Sequence, residues 1–231
     1  MTSCVVVAAG EGTRFKSRIP KILYPLQGIP VLEYSLKTFS QCRLIDEIVL
    51  VINEKHHTHY CKMELERKYP KIKNIVNGGS CREESVFNGF SKCSTISDTI
   101  LIHDGARPFV TDRLIQAIIE AVNKYGACVP CYPVNGSVKI VRSGKLVCTI
   151  FEKDLEVAQT PQGFRREILE KVFSINKDRL TDYPDESSMC EKAGYYVRVI
   201  PGEITNIKIT TRDDIKIASS LLCSGFTGTK K

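Results

Sequence analysis

Short apolar runs alternate along this chain with segments whose apolar residues recur at helical spacing. The runs predict buried strands and the spaced segments predict helices. This alternation is typical of a mostly parallel sheet covered by helices on both faces, which is an α/β fold. The predicted strands span residues 5–7, 45–52, 74–77, 99–103, 127–132, 196–200 and 206–209, and the predicted helices span residues 31–39, 56–69, 83–93, 111–125, 165–173, 186–193 and 212–222.

The alternation is interrupted after Pro133. Residues 134–150 contain two short β runs joined by a turn at 142–145, which predicts a β-hairpin. A hairpin inserted into an α/β domain has one face to bury. Two interpretations stay open: an arm over residues 134–157 that packs on a second subunit, and a local flap on its own domain.

The length of 231 residues suits one domain, predicted over residues 1–223 with a disordered tail at 224–231. Hydrophobic residues make up 42% of the chain and charged residues 26%, which excludes a disordered protein. No apolar run reaches the ~18 residues of a membrane span. The first ten residues also lack the positive region of a signal peptide. We therefore expect a cytoplasmic protein with no membrane partner.

The cysteine pattern argues against a zinc site. The ten cysteines are scattered, and Cys128 and Cys131 have no second pair or nearby histidine with which to build a zinc site. We expect reduced thiols that pack in the core.

The net charge of +7 favours an anionic partner. Because no basic stripe with interleaved aromatic residues is present, a small phosphorylated ligand fits better than nucleic acid.

The most informative segment follows the first predicted strand and reads AAGEGTRFKSRIPK over residues 8–21. Phe15 stands where a dinucleotide-binding loop has its third glycine, and no Gly-Lys-Ser/Thr of a P-loop follows. Glycines let backbone N–H groups approach a phosphate closely. Arg14 and Lys21 bracket the loop, where fixed cations would stabilise charge on a departing pyrophosphate. The alternative is a glycine-rich turn with solvated charges.

This loop resembles that of the sugar- and polyol-phosphate nucleotidyltransferases. With GGSCREESV at 78–86, HDGARP at 103–108, QTPQGF at 159–164 and NIKIT at 206–210, the chain is similar to the 2-C-methyl-D-erythritol 4-phosphate cytidylyltransferase family of non-mevalonate isoprenoid precursor synthesis. The resemblance covers roughly residues 3–222. It implies a Rossmann-like fold of the nucleotide-diphospho-sugar transferase type with a protruding β-hairpin arm. It also implies CTP, Mg²⁺ and a polyol phosphate that attacks the α-phosphorus.

The resemblance further implies roles for particular residues. Arg14, Lys21 and Lys208 would be catalytic. The nucleotide would contact Ala8, Ala9, Gly10, Gly12, Gly79, Ser80 and Ser85. The polyol phosphate would contact Asp104, Arg107, Ser137, Thr160 and Lys153, with Asp104 also a candidate metal ligand. If the arm crosses to a partner in a homodimer, Ser137 would act in the partner's site.

Several polar positions carry alternatives. Asp104 follows a predicted strand, at the carboxyl end where α/β proteins bind ligands, and helix capping is its alternative role. His103 reads as a core histidine. Arg107 either pairs with Asp104 or binds the substrate phosphate. Asp185 and Glu186 resemble the family's acidic segment near the site. Thr181 and Asp182 offer a competing register, and a solvated helix N-terminus is the alternative role.

Four positions depart from the family pattern: Glu152 replaces an arginine that grips the acceptor phosphate, Glu156 replaces an aromatic residue, Ser80 replaces an acid and Ser137 replaces threonine. Lys153 is the candidate substitute for the missing arginine. Ribitol 5-phosphate or another polyol phosphate is therefore the alternative acceptor. A nucleotide-binding module without turnover is a third hypothesis, disfavoured because binding alone does not need both flanking cations.

Overall fold

A central sheet of eight strands organises the molecule in the computed structural model, which describes residues 1–151, 153–176 and 179–225. The described residues form twelve strands, of which β2 with β3 and β8 with β9 make two separate two-stranded sheets. The strands are β1 (Thr2–Ala8), β2 (Pro25–Leu26), β3 (Ile29–Pro30), β4 (Glu47–Ile52), β5 (Ile72–Asn77), β6 (Thr99–Asp104), β7 (Ala127–Pro133), β8 (Val138–Arg142), β9 (Lys145–Ile150), β10 (Glu156–Ala158), β11 (Gln162–Arg165) and β12 (Arg198–Pro201). The α-helices are α1 (Val31–Gln41), α2 (His57–Lys62), α3 (Leu65–Lys68), α4 (Arg82–Phe90), α5 (Asp112–Tyr125), α6 (Arg166–Ile175), α7 (Glu186–Lys192) and α8 (Arg212–Cys223).

The sheet has the order β10-β7-β11-β6-β1-β4-β5, and β12 pairs with β7. β1 pairs in parallel with β4 and with β6, and β4 pairs in parallel with β5. The predicted mostly parallel α/β sheet is confirmed. β10 and β11 are antiparallel strands that the sequence did not predict. They were missed because they are short and β11 contains a single large apolar residue, Phe164.

Local signals place the helices around this sheet. Thr111 caps α5 by accepting a hydrogen bond from the backbone N–H of Leu114 at 3.1 Å, and Gly126 ends the helix at a φ of +88°. Gly89 lets α4 pack tightly on the sheet, since a Cβ there would lie 2.5 Å from Cγ1 of Val5. The close approach brings the first turn of α4 beside the carboxyl ends of β1 and β5.

Two predicted elements differ in the structure. The single helix predicted over residues 56–69 is broken into a 3-10 turn at Glu54–His56, α2 and α3, because Glu64 adopts a left-handed φ of +46°. The strand predicted at 206–209 forms no ladder. The backbone carbonyl of Asn206 instead accepts a hydrogen bond from Arg107, and the N–H of Ile209 donates to the carbonyl of Ala106. These contacts draw the segment towards the end of β6.

The predicted hairpin is confirmed as β8 and β9, which pair only with each other among the described strands. Val141, Leu146 and Val147 are exposed on it, and Phe151 beyond it is 88% exposed. The hairpin is therefore a separate two-stranded sheet that exposes apolar side chains.

Some predictions concern residues that the structure leaves out. Glu152 and residues 226–231, most of the predicted tail, lie outside the described residues. Nine of the ten cysteine side chains are described, and they are free thiols; Cys128 and Cys131 are buried, as expected, whereas Cys148 and Cys223 are exposed and do not pack in the core. None of the described helices combines the length and the hydrophobicity that a membrane span requires.

Candidate active site

A cavity of about 560 Å³ opens where β1, β4, β5 and β6 end. Parallel strands bring their carboxyl ends to one edge of a sheet, which is where α/β proteins bind ligands. Nine of the predicted site residues line this cavity: Ala8, Ala9, Gly10, Lys21, Gly79, Ser80, Ser85, Asp104 and Lys208. Arg82, Asn53 and Lys55 also line it, although the sequence did not single them out.

The glycine loop forms one wall. Gly12 has a left-handed φ of +64°, and a Cβ there would lie 3.3 Å from Cγ of Lys21, so the loop wraps closely around the lysine stem. Asn53 donates from Nδ2 to the carbonyl of Ala9 at 3.1 Å and thereby fixes the loop to the end of β4. Arg14 is exposed and does not line the cavity in the single chain.

Residues 78–81 form the opposite wall and are organised by the first turns of α4. The N–H of Gly79 donates to Oγ of Ser85 at 3.0 Å, and that hydroxyl donates to the carbonyl of Cys81 at 2.7 Å. The N–H and the hydroxyl of Ser80 both donate to Glu84, at 2.6 and 2.7 Å. Gly78 lacks a Cβ where one would lie 2.3 Å from the Cβ of Ala9, so the two walls touch there.

Three cationic side chains surround Asp104 at the end of β6. Nζ of Lys208 lies 2.7 Å from Oδ2, Nε of Arg82 lies 3.2 Å from Oδ1, and Nε of Arg107 lies 4.0 Å from Oδ2. Burial alone would raise the pKa of Asp104, but these three cations hold that pKa well below its usual range. Asp104 is therefore an ionised anchor for cations rather than a general base.

Arg82 is a cavity residue that the sequence did not single out. Its NH1 group lies 2.9 Å from Oε1 of Glu186, a carboxylate that is completely buried. The partners are 104 residues apart, so no local pattern could pair them. This contact agrees with the interpretation of Glu186 as part of an acidic segment near the site. The alternative interpretation, a solvated helix N-terminus, is wrong for Glu186 because its side chain is buried. Asp185 caps α7 by accepting from the N–H of Ser188.

Arg107 and Thr160 lie behind Asp104 and do not line the cavity. Arg107 donates to the carbonyl of Asn206 at 2.7 Å and to that of Ala158 at 3.3 Å. The hydroxyl of Thr160 accepts from the N–H of Asp104 at 3.0 Å. His103 is fully buried, and burial lowers its pKa to about 4, so it is a neutral core histidine, as expected.

Ser137 and Lys153 are exposed beside the hairpin, and neither lines the cavity of the single chain. Arg14, Gly12, Arg107 and Thr160 likewise stay outside its lining. The structure thus brings six of the seven predicted nucleotide residues together around the cavity, all except Gly12, and leaves most of the predicted acceptor residues outside its lining.

Lys21 is in a different electrostatic environment from an ordinary surface lysine. Burial, followed by the positive charge of Lys208, lowers the pKa of Lys21 to about 8, although Asp104 partly opposes this. The cavity lining contains four cationic side chains, Lys21, Lys55, Arg82 and Lys208, and three carboxylates, Glu11, Glu54 and Asp104, so the cations are in surplus by one. Such a surplus suits a polyanionic ligand.

The described residues fit a protein-held metal ion poorly. They contain no group of three or more His, Cys, Asp and Glu side chains that could hold one. Both oxygens of Asp104 are already engaged by cationic side chains. Since Mg²⁺ is commonly bound by one or two carboxylates together with substrate phosphates, phosphate oxygens are the donors that this cavity would need for a divalent ion.

Comparison with known proteins places nearly all of the chain in one family. The family model for 2-C-methyl-D-erythritol 4-phosphate cytidylyltransferase matches residues 2–224. The enzyme of that name from Clostridium kluyveri is 41% identical over 223 residues, covering 94% of each chain. Its counterpart from Syntrophus aciditrophicus is 40% identical over 224 residues, also covering 94% of each.

Solved structures agree. The 4-diphosphocytidyl-2C-methyl-D-erythritol synthase of Anaerococcus prevotii superposes with a TM-score of 0.82 at 30% identity and covers 96% of both chains. The 2-C-methyl-D-erythritol 4-phosphate cytidylyltransferase of Francisella tularensis also has a TM-score of 0.82, at 29% identity, with 95% of this chain and 98% of that chain covered. Sequence and fold therefore point to the same family.

Proposed function

The chain belongs to the 2-C-methyl-D-erythritol 4-phosphate cytidylyltransferase family, and we propose that its cavity transfers the cytidylyl group of CTP to 2-C-methyl-D-erythritol 4-phosphate with release of pyrophosphate. The protein is thus a CTP-dependent nucleotidyltransferase of isoprenoid biosynthesis. The observation that carries the proposal is the convergence of Lys21 and Lys208 on one cavity between the glycine loop and residues 78–81.

The transfer needs positioning and charge stabilisation more than proton transfer. An oxygen of the acceptor phosphate forms a bond to the α-phosphorus of CTP, while the bond from that phosphorus to the bridging oxygen breaks and pyrophosphate leaves. The attacking oxygen is already anionic, so no strong general base is required. Lys21 and Arg14 stabilise the charge that develops on the departing group, with Arg14 turning inwards from its exposed position.

The two walls of the cavity divide the substrate between them. Backbone groups of Ala8, Ala9, Gly10 and Gly12 contact the triphosphate, and Gly79, Ser80 and Ser85 face the cytosine and ribose. Ser85 acts mainly by shaping the loop, because its hydroxyl is already bonded to backbone on both sides. Lys208 lines the cavity beside Asp104 and binds the acceptor phosphate, with Arg107 and Thr160 holding the backbone nearby.

We assign the divalent cation, Mg²⁺ in our proposal, to the triphosphate rather than to Asp104. When bound there, the cation would supply charge neutralisation of the phosphate oxygens. Asp104 instead keeps Lys208 oriented at 2.7 Å.

We further propose that the chain forms a homodimer through the hairpin arm. Exposed apolar side chains on β8 and β9 need a partner surface, and a second copy of the chain supplies one. In that dimer Ser137 and Lys153 reach the acceptor end of the partner's cavity, which would account for their distance from the cavity of their own chain. Residues 1–223 act as one domain, and the enzyme works in the cytoplasm.

The test measures the release of pyrophosphate from CTP in the presence of Mg²⁺, with 2-C-methyl-D-erythritol 4-phosphate and ribitol 5-phosphate offered in turn as the acceptor. Release with 2-C-methyl-D-erythritol 4-phosphate is expected, and Lys21→Met is the inactive control. Replacement of CTP by ATP controls for the base. Release with ribitol 5-phosphate alone would overturn the choice of acceptor. Tight CTP binding with no release from any acceptor would overturn the proposal of turnover.

A further inference from the structure

Arg82 connects three parts of the active site that are distant in the sequence. It begins α4, directly after the wall formed by residues 78–81, and it contacts Asp104 at the end of β6 and Glu186 at the start of α7. We infer that Arg82 is a positioning residue, which orients Asp104 and thereby Lys208 for the transfer step. This inference rests on the proposed function and adds a residue to it.

Glu186 fixes the direction of the Arg82 side chain. Both of its carboxylate oxygens are engaged, with NH1 at 2.9 Å from Oε1 and NH2 at 3.2 Å from Oε2. Because a guanidinium is planar, fixing its NH1 and NH2 groups on Glu186 also sets the direction of the Nε–H bond. Nε donates to Oδ1 of Asp104 at 3.2 Å. An ammonium group, which is a point charge, could not hold both acids in this way.

The two oxygens of Asp104 consequently have separate partners. Arg82 takes Oδ1, and Lys208 takes Oδ2 at 2.7 Å. Among the described contacts, no other side chain holds Oδ1. Without Arg82, the carboxylate would be free to rotate between Lys208 and Arg107, whose Nε lies 4.0 Å away. The ammonium of Lys208 would then lose its defined place at the cavity edge.

The contacts also connect the nucleotide side to the acceptor side. Gln162 donates to Asp185 at 3.0 Å and accepts from the N–H of Ser187 at 3.1 Å, which ties the segment after Thr160 to α7. Thr160 in turn accepts from the N–H of Asp104 at 3.0 Å. Arg82 joins this group to α4, so it relates the CTP-binding wall to the cations that meet the acceptor.

The alternative is an ion pair that serves folding alone. A buried ion pair can often be replaced by apolar residues of similar volume with little loss of stability, whereas removal of one partner leaves an uncompensated charge. The double variant Arg82→Met with Glu186→Leu therefore separates the two roles. If the pair is only structural, the folded double variant should remain active.

We expect the double variant to keep its melting temperature near that of the wild type while kcat falls about 10²-fold, the effect of a small misplacement of reacting groups. KM for CTP should change far less, because the backbone of both walls remains. Arg82→Lys, which keeps the charge and adds no large cavity, should recover little of the lost kcat. Both kcat and KM are measured by pyrophosphate release, and folding is followed by circular dichroism.

Arg166 provides a matched control at the opposite end of the sheet. Its side chain is 16% exposed, close to the 23% of Arg82, and it donates to the carbonyl of Ser97 at 2.8 Å, away from the cavity. Arg166→Met should lower the melting temperature and leave kcat near the wild-type value.

A folded double variant with wild-type kcat would overturn the inference, as would full activity of Arg82→Lys or an equal loss of kcat in Arg166→Met. Failure of the proposed function looks different, because the wild-type enzyme itself would then release no pyrophosphate from CTP with any acceptor. That result would overturn both proposals.

Discussion

Replacement of Lys21 by methionine should stabilise the unliganded protein at neutral pH while it abolishes turnover. Burial and the neighbouring Lys208 lower the pKa of Lys21 from 10.5 to about 8, so the fold disfavours the charged lysine. At 1.36 kcal/mol per unit, a difference of about 2.5 units corresponds to ~3 kcal/mol. Because the lysine lies in an open cavity, solvent screening reduces the expected gain to about 1–2 kcal/mol.

The sign of the pH dependence follows from proton binding. Below about pH 8, Lys21 is protonated in both the folded and the unfolded chain, and the destabilisation is fully present. Between about pH 8 and 10.5, the unfolded chain holds a proton that the folded chain has released, so stability rises with pH. The advantage of Lys21→Met should therefore be largest near neutral pH and should vanish towards pH 10.5.

Urea denaturation measures the free energy of unfolding of both proteins at neutral and at alkaline pH. Lys16→Met is the control, since Lys16 is exposed in the same loop. A gain of the same size at both pH values would refute the reasoning, because methionine would then act by packing alone. The absence of any gain would mean that the cavity tolerates the charged lysine without cost.

Three further predictions concern the same structure. kcat/KM for CTP should fall as pH rises through about 8, and Lys21→Arg should remove this decline because arginine stays charged; an unchanged pH profile would contradict the assignment. Leu146→Lys combined with Val147→Lys should give monomers in analytical ultracentrifugation, and a persistent dimer would place the interface elsewhere. Calorimetry should detect Mg²⁺ binding only when CTP is present, whereas binding to the protein alone would restore Asp104 as a metal ligand.

The sequence by itself determined the elements that depend on neighbouring residues. The run of valines in β1, the Thr111 cap and Gly126 stop of α5, and the glycine loop with Lys21 all follow from interactions within a few positions. The same holds for the hairpin of β8 and β9, whose turn and pairing are local. Of the nine site residues predicted from the glycine loop and from residues 78–86, seven line the cavity, whereas Gly12 and Arg14 do not.

Other features depended on residues far apart in the chain. β11 lies between β6 and β7 because Phe164 packs in a core built by distant helices, and its own four residues carry no clear strand pattern. Residues 206–209 resemble a strand, yet the backbone of Asn206 is used to hold Arg107. Glu64 breaks a helix that apolar spacing alone had predicted as continuous.

Only the tertiary structure decided how charge is arranged around Asp104. Arg82 and Lys208 approach it from different segments, and Arg82 is itself held by Glu186. The sequence named the lysines and the aspartate, but the strength and direction of an electrostatic interaction depend on distance and burial, which exist only in the folded chain. The identity of the cationic residues therefore follows from the local sequence, whereas their arrangement around Asp104 results from the packing of α4, α7 and β6.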